Sequence, residues 1–106
     1  MAKITLNEKK DRYFLNFSGS FSSDEDSNEL IEMFNQAKDI EPKQLVLNFK
    51  ETKYLNSSII GILIKYYQLM PNTKMYIYCE NEFLKDLFKI TSLDQFFESL
   101  ENENEV

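Results

Sequence analysis

Two adjacent serines, Ser57 and Ser58, follow Asn56 and precede the apolar run Ile59-Ile60-Gly61-Ile62-Leu63-Ile64. A serine hydroxyl used as a nucleophile needs a base beside it, and the chain contains no histidine. The same absence, together with a single cysteine, removes Cys-His nucleophile pairs and the usual zinc ligand sets. Cys79 has no basic cluster around it in sequence to lower its pKa, so it reads as a small buried hydrophobe rather than a reactive thiol. Carboxylates are what remain for acid–base work, and such work needs a pair of them converging on a pocket. Asp24, Glu25 and Asp26 instead stand where a helix starts, complementing the positive end of its dipole. Glu101, Glu103 and Glu105 lie in a terminal polar run. No catalytic residue, metal ligand or cofactor follows from these residues, and the chain is read as a binding module, not an enzyme. On residue types alone, Asn56-Ser57-Ser58 is a helix N-cap.

The elements that must position that triplet can be read from periodicity. Ile4 and Leu6, then Tyr13, Leu15 and Phe17, recur every second residue and predict two strands, with the polar stretch Asn7 to Arg12 as a hairpin-like turn. At Gly19 a positive φ is expected and the chain is expected to leave the sheet. Leu30, Ile31, Phe34 and Ala37 mark one face of a first helix, begun in the polar cluster Ser22 to Ser27. Leu45-Val46-Leu47, then Phe49, is apolar on both faces and predicts the central strand. A second helix follows from Asn56 towards Met70-Pro71, with Ile60, Leu63, Ile64 and Tyr67 towards the sheet and Ile59, Ile62 and Tyr66 in a second, outer apolar stripe. That stripe suits a partner or homodimer surface, or cover by helix one or the last helix. Met75 to Cys79 predicts a further strand, Asn81 caps a helix carrying Phe83, Leu84, Leu87 and Phe88, and Ser92 opens a short last helix with Leu93, Phe96, Phe97 and Leu100. The order ββαβαβαα implies one α/β domain over residues 1–100, with a small, mixed, mostly parallel sheet of about four strands and helices layered mainly on one face. Residues 101–106 are expected to form an acidic, mobile tail.

The formal net charge of −6 disfavours nucleic acid as a partner. No apolar run approaches the length of a membrane span, and the N-terminal residues alternate instead of forming a signal core, so a cytoplasmic location is expected.

Leu45-Val46-Leu47-Asn48-Phe49 followed by Tyr54-Leu55-Asn56-Ser57-Ser58-Ile59-Ile60-Gly61 closely resembles the strand, loop and helix start of STAS domains, and Gly19-Ser20-Phe21 resembles their earlier Gly-x-Leu turn. The resemblance spans nearly the whole chain. It implies the fold above and the role of the anti-sigma factor antagonists, partner-switching regulators of bacterial transcription. Carried over by position, Ser57 is the residue phosphorylated by a serine kinase that is also the anti-sigma factor, with Ser58 as the second candidate and a phosphatase as a further partner. The implied partner surface is Asn56, Ser57, Ser58, Ile59, Ile62 and Tyr66. The chain departs from the family pattern at Asn56, where aspartate is usual, and at Ile59, where glycine is usual. Those departures suit an alternative role as a non-phosphorylated STAS subunit, a structural binding module in a transporter or signalling complex.

Overall fold

The computed structural model describes residues 2–106. Two strands, β1 (Lys3–Lys9) and β2 (Arg12–Phe21), form an antiparallel hairpin. The turn between them is only Lys10-Asp11, with φ values of 52° and 64°. Positive φ at both positions is the two-residue turn geometry whose twist matches that of paired strands. Of the polar stretch Asn7 to Arg12, expected as the turn, only Lys10-Asp11 turns, and the rest is strand. Thr5 and Asn7 stand on a face of the sheet that carries no helix, where a polar residue costs nothing. Helix α1 (Asp24–Ile40) crosses to β3 (Gln44–Leu55), which pairs in parallel with β2. Helix α2 (Ser57–Leu69), strand β4 (Lys74–Tyr78), helix α3 (Glu82–Ile90), the single turn α4 (Leu93–Phe96) and strand β5 (Glu98–Ser99) follow. The strands lie in the order β1-β2-β3-β4-β5, with every pairing after the first parallel. The fifth strand extends the expected sheet of about four. Its two residues are too few to show a period of two, and the stretch Phe97 to Leu100, expected as helix, is extended.

The main core lies between one face of the sheet and the helices. Leu15, Phe17, Leu45, Leu47 and Phe49 meet Leu30, Phe34 and Ala37 of α1, Leu63 of α2 and Leu84 of α3, all fully or almost fully buried. Phe17 sits at the centre, with ring centroids 4.5 Å from Phe49 and 5.6 Å from Phe21. On the opposite face, Phe14, Val46 and Tyr76 form a smaller cluster across three strands. Leu100 and Val106 pack on it, which places the segment 101–106, expected as an acidic tail, over this face of the sheet. A short 3₁₀ turn at Glu103–Glu105 and an ion pair from Lys50 to Glu103 accompany that placement.

Strand β3 does not keep a period of two to its end. Asn16 pairs with Asn48 but Ser18 with Glu51, and Gly19 pairs with Thr52 but Ser20 with Tyr54. An extra residue on β3 in each interval makes two bulges. Core-facing positions therefore change from Leu45, Leu47 and Phe49 to Phe49, Thr52 and Leu55, three apart. Gly19 adopts φ 93° opposite these bulges, as expected, yet β2 continues to Phe21 and does not leave the sheet. Thr52 is the buried polar side chain that results, and its hydroxyl donates to the Phe17 carbonyl at 2.9 Å.

The acidic cluster before α1 acts as a cap. Ser23 Oγ accepts from the Asp26 N–H at 3.1 Å, while the Asp26 carboxylate accepts from the N–H groups of Ser22 (2.9 Å) and Ser23 (3.0 Å). The Ser23 backbone bond, foremost, holds the Asp26 carboxyl below its usual range. Ser23→Ala is expected to lower unfolding free energy by about 1 kcal/mol in urea denaturation. Because Asp26 has a depressed folded pKa, its contribution is full above the unfolded carboxylate range and fades as pH falls through the folded value. The stability gap between wild type and Asp26→Asn should therefore shrink below about pH 4.

Candidate functional site

The end of β3 and the start of α2 are tied to the neighbouring strand. Leu55 is buried opposite Phe21, and the Asn56 N–H donates to the Phe21 carbonyl at 3.0 Å. Held there in an extended conformation (φ −87°, ψ 175°), Asn56 turns its Oδ1 onto the Ile59 N–H at 2.9 Å. Its carbonyl accepts the first helical bond, from the Ile60 N–H. This makes Asn56 the N-cap expected from the sequence, Ser57 the first helical residue and Ser58 the second. Both serines are exposed.

The two long crossover helices differ electrostatically at their starts. Three acids occupy the first turn of α1, whereas the first turn of α2 has none. The positive end of the α2 dipole is therefore left without a carboxylate, next to two free hydroxyls. Beside it, Asn81 caps α3 by accepting from the N–H groups of Phe83 and Leu84, and its Nδ2 lies 3.5 Å from the Thr52 carbonyl. The bulged part of β3 thus anchors the start of α3 close to the start of α2.

The expected outer stripe of α2 is corrected by the structure. Ile59 is fully buried and Tyr66 is 3% exposed, so neither presents an open apolar surface. Tyr66 stacks on Phe34 of α1, with centroids 4.7 Å apart and planes 4° from parallel, and its hydroxyl donates to Asn35 Oδ1 at 2.7 Å. Helix α2 packs against both the sheet and α1, and its buried residues Ile59, Ile60, Leu63 and Tyr66 form one helical stripe, rotated from the one expected. Ile64 and Tyr67, expected towards the sheet, are only half-buried. What α2 shows outside is Ser57, Ser58, Gly61, Lys65, Gln68 and Leu69, with half-buried Ile62 at the edge. At Gly61 no atom lies within 4 Å of where a Cβ would stand. Another chain could approach the helix backbone there, one turn beyond the serines.

Two aromatic residues flank this surface that the sequence reading did not assign to it. Tyr54 and Phe83 stack at 6.1 Å and remain 40% and 53% exposed. Phe83 could have been found, because Leu84, Leu87 and Phe88 complete a helical stripe without it. Tyr54 could not, since its outward position depends on the second bulge. Cys79 is half-buried, and burial raises its thiol pKa, which keeps it protonated. Among the described residues no three His, Cys, Asp or Glu side chains converge to hold a metal ion, and no helix is long and apolar enough to cross a membrane. The arrangement presents two exposed hydroxyls at the start of a capped helix.

The family model of the STAS domain matches residues 3–106. No curated protein matches the chain by sequence. Among solved structures, the chain is similar to an anti-sigma factor antagonist from Mycobacterium paratuberculosis, with a TM-score of 0.88 at 15% identity, covering 99% of this chain and 90% of that one. It is also similar to the Bacillus cell fate determinant SpoIIAA in its phosphorylated form, with a TM-score of 0.71 at 10% identity, covering 96% and 95% of the two chains. An anti-sigma-factor antagonist (STAS) domain protein from Planctomyces limnophilus gives 0.77 at 10% identity, covering 99% and 94%. At these identities the likeness is one of fold.

The burial of α2 separates its side chains by role. Tyr66→Ala should cost about 3 kcal/mol of stability, as expected for a core aromatic, whereas Ile62→Ala should cost less than about 1.5 kcal/mol. Urea denaturation of the two variants measures both.

Proposed function

The chain belongs to the STAS domain family, and from that premise we propose that it is an anti-sigma factor antagonist-like partner switch, binding an anti-sigma factor that is also a serine kinase and controlled by phosphorylation of Ser57. The observation that carries this reading is the position of Ser57: exposed, first in a capped helix whose initial turn lacks acids, at the carboxyl end of the central strand. A phosphoryl group there would add about −1.5 to −2 charges. The unneutralised helix start and its free N–H groups favour an anion, so the fold tolerates the modification. A partner docked over the same spot meets that charge and its bulk directly. Modification therefore acts on association and leaves folding alone.

The docking surface in this reading is narrower than the sequence alone implied. It comprises Asn56, Ser57, Ser58 and Ile62, continued by Gly61 and Lys65 and flanked by the Tyr54–Phe83 pair. Ile59, which stands where the family usually has glycine, is buried, so its methyl groups do not obstruct a partner. Ser58, also exposed, is the second candidate for modification. The role is binding, in the cytoplasm, with a phosphatase resetting the switch.

Asn56 favours a second reading. It keeps the cap without the negative charge that the family usually places beside the serine, which suits a constitutive STAS subunit of a transporter or signalling assembly. Intact-mass analysis of the protein from its native cells, with fragment mapping of residues 56–64, separates the two. The switch predicts a phosphate on Ser57 and a small kinase-like ATPase retained in a pull-down. The constitutive module predicts no phosphate and a transporter ATPase or scaffold. Ser57→Ala should keep binding the kinase, and Ser57→Glu should weaken it at least about tenfold. The Tm of either variant should stay within about 2 °C of wild type.

A further inference from the structure

The sheet face opposite the helices is organised in rows by strand register. Phe14, Val46 and Tyr76 align across β2, β3 and β4 as an apolar row. Beside it Asn16 and Asn48 share a register position, Asn48 Nδ2 donating to Asn16 Oδ1 (3.0 Å), and Asn16 Nδ2 reaches diagonally to Asn7 Oδ1 (2.5 Å). On the other side is a cationic row of Lys9, Arg12 and Lys74. Arg12 and Lys74 lie over the Tyr76 ring, 5.1 and 5.6 Å from its centroid. With Lys10 and Lys50 added, cations rim an apolar centre in a chain whose net charge is −6, Lys74 among them being paired with Glu98 at 3.5 Å.

Residues 100–106 cover this face as a strap whose chemistry is complementary to it. Leu100 and Val106 pack on the apolar row, Glu103 pairs with Lys50, and Lys9 Nζ donates to the Val106 carbonyl at 3.1 Å. The hold is light. One sheet-like bond, from the Leu100 N–H to the Ile77 carbonyl (2.8 Å), ties the strap's start to β4, and the Lys50–Glu103 pair is largely in solvent, where salt screens it. At the far end an open groove of about 300 Å³, lined by Lys9, Lys10, Arg12 and Phe14 beside Asn104 and Glu105, is left unfilled.

We infer that this face is a second protein-binding site, distinct from the serine surface, for an acidic peptide segment of a partner bearing an apolar anchor residue, and that the strap occupies it in cis until displaced. The apolar row takes the anchor. The basic rim, including Lys10 and Arg12 of the groove, which make no ion pair with the strap, takes the carboxylates. A covering segment of the same composition shows which chemistry the face accepts, and its few exposed ties make exchange feasible.

The test uses the full chain and a fluorescein-labelled peptide of residues 100–106, followed by anisotropy. In Leu100→Ser/Glu103→Ser the strap loses an anchor and its ion pair. The peptide should bind this variant about tenfold more tightly than wild type, because a site occupied in cis shows an affinity reduced by its open fraction. Adding Lys9→Glu and Lys50→Glu, both outside the core, should abolish that gain, and raised salt should weaken it. Far-UV circular dichroism and Tm establish that each variant is folded. Equal binding to wild type and the released variant, binding that survives charge reversal, or no binding to a folded released variant at millimolar peptide overturns the inference. A released variant that dimerises without peptide assigns the face to a second copy of this chain and overturns the acidic-partner reading.

Discussion

Burial of Leu45, Val46 and Leu47 on consecutive positions of β3 is the constraint from which the rest of the structure follows. A strand apolar on both faces must be covered on both, since exposing either leaves contiguous apolar area in water. Helices α1, α2 and α3 cover one side, and that layer needs crossovers long enough to return each chain segment to the same edge of its strand. The other side is covered by hairpin residues, the bonded asparagines and the terminal strap. Once β3 is central and parallel to β2 and β4, its carboxyl end can only open into a loop that feeds a helix. The serine pair stands at that point. Its exposure and its place at a helix start are consequences of how the centre of the sheet is buried.

The contrast between α1 and α2 shows how local sequence sets the electrostatics of such a helix start. Both begin with a side-chain cap, Ser23 in one and Asn56 in the other. In α1 the partial positive charge meets Asp24, Glu25 and Asp26, and the Ser23–Asp26 capping box closes two orphan N–H groups. In α2 the first turn continues with two serines and two isoleucines, and only one orphan N–H is met by the cap. Stability thus resides in the first helix start, and a capacity to receive an anion in the second.

Much of this architecture was legible because it rests on short-range rules. The alternation in β1 and β2, the two-sided apolar run of β3, and the caps Asn56 and Asn81 all act within a few residues, and the structure has them where the sequence puts them. For the outer stripe of α2 the sequence left two readings open, a partner surface or cover by helix one, and it could not choose, because the contact of Tyr66 with α1 is set by packing between segments some thirty residues apart. The Tyr54–Phe83 pair was hidden for a related reason. Its exposure depends on bulges that slide β3 against β2, and a bulge leaves no mark in hydrophobic period until the pairing is known. The place of the strap was not legible because its composition carries no apolar period, and the basic face it lies on is assembled from strands distant in sequence.

The bond from the Asn56 N–H to the Phe21 carbonyl joins residues on two parallel strands that lie on either side of the whole α1 crossover. Such pairings form only after a long loop has closed, so they belong to the slow, cooperative part of folding rather than to local helix formation. The amide of Asn56 should accordingly resist hydrogen exchange nearly as long as the core does. A chain caught before β2 and β3 have joined has no anchored cap at Asn56 and no ordered surface around Ser57. Any partner that reads that surface therefore also reads the folded state, and half-made copies are silent by construction.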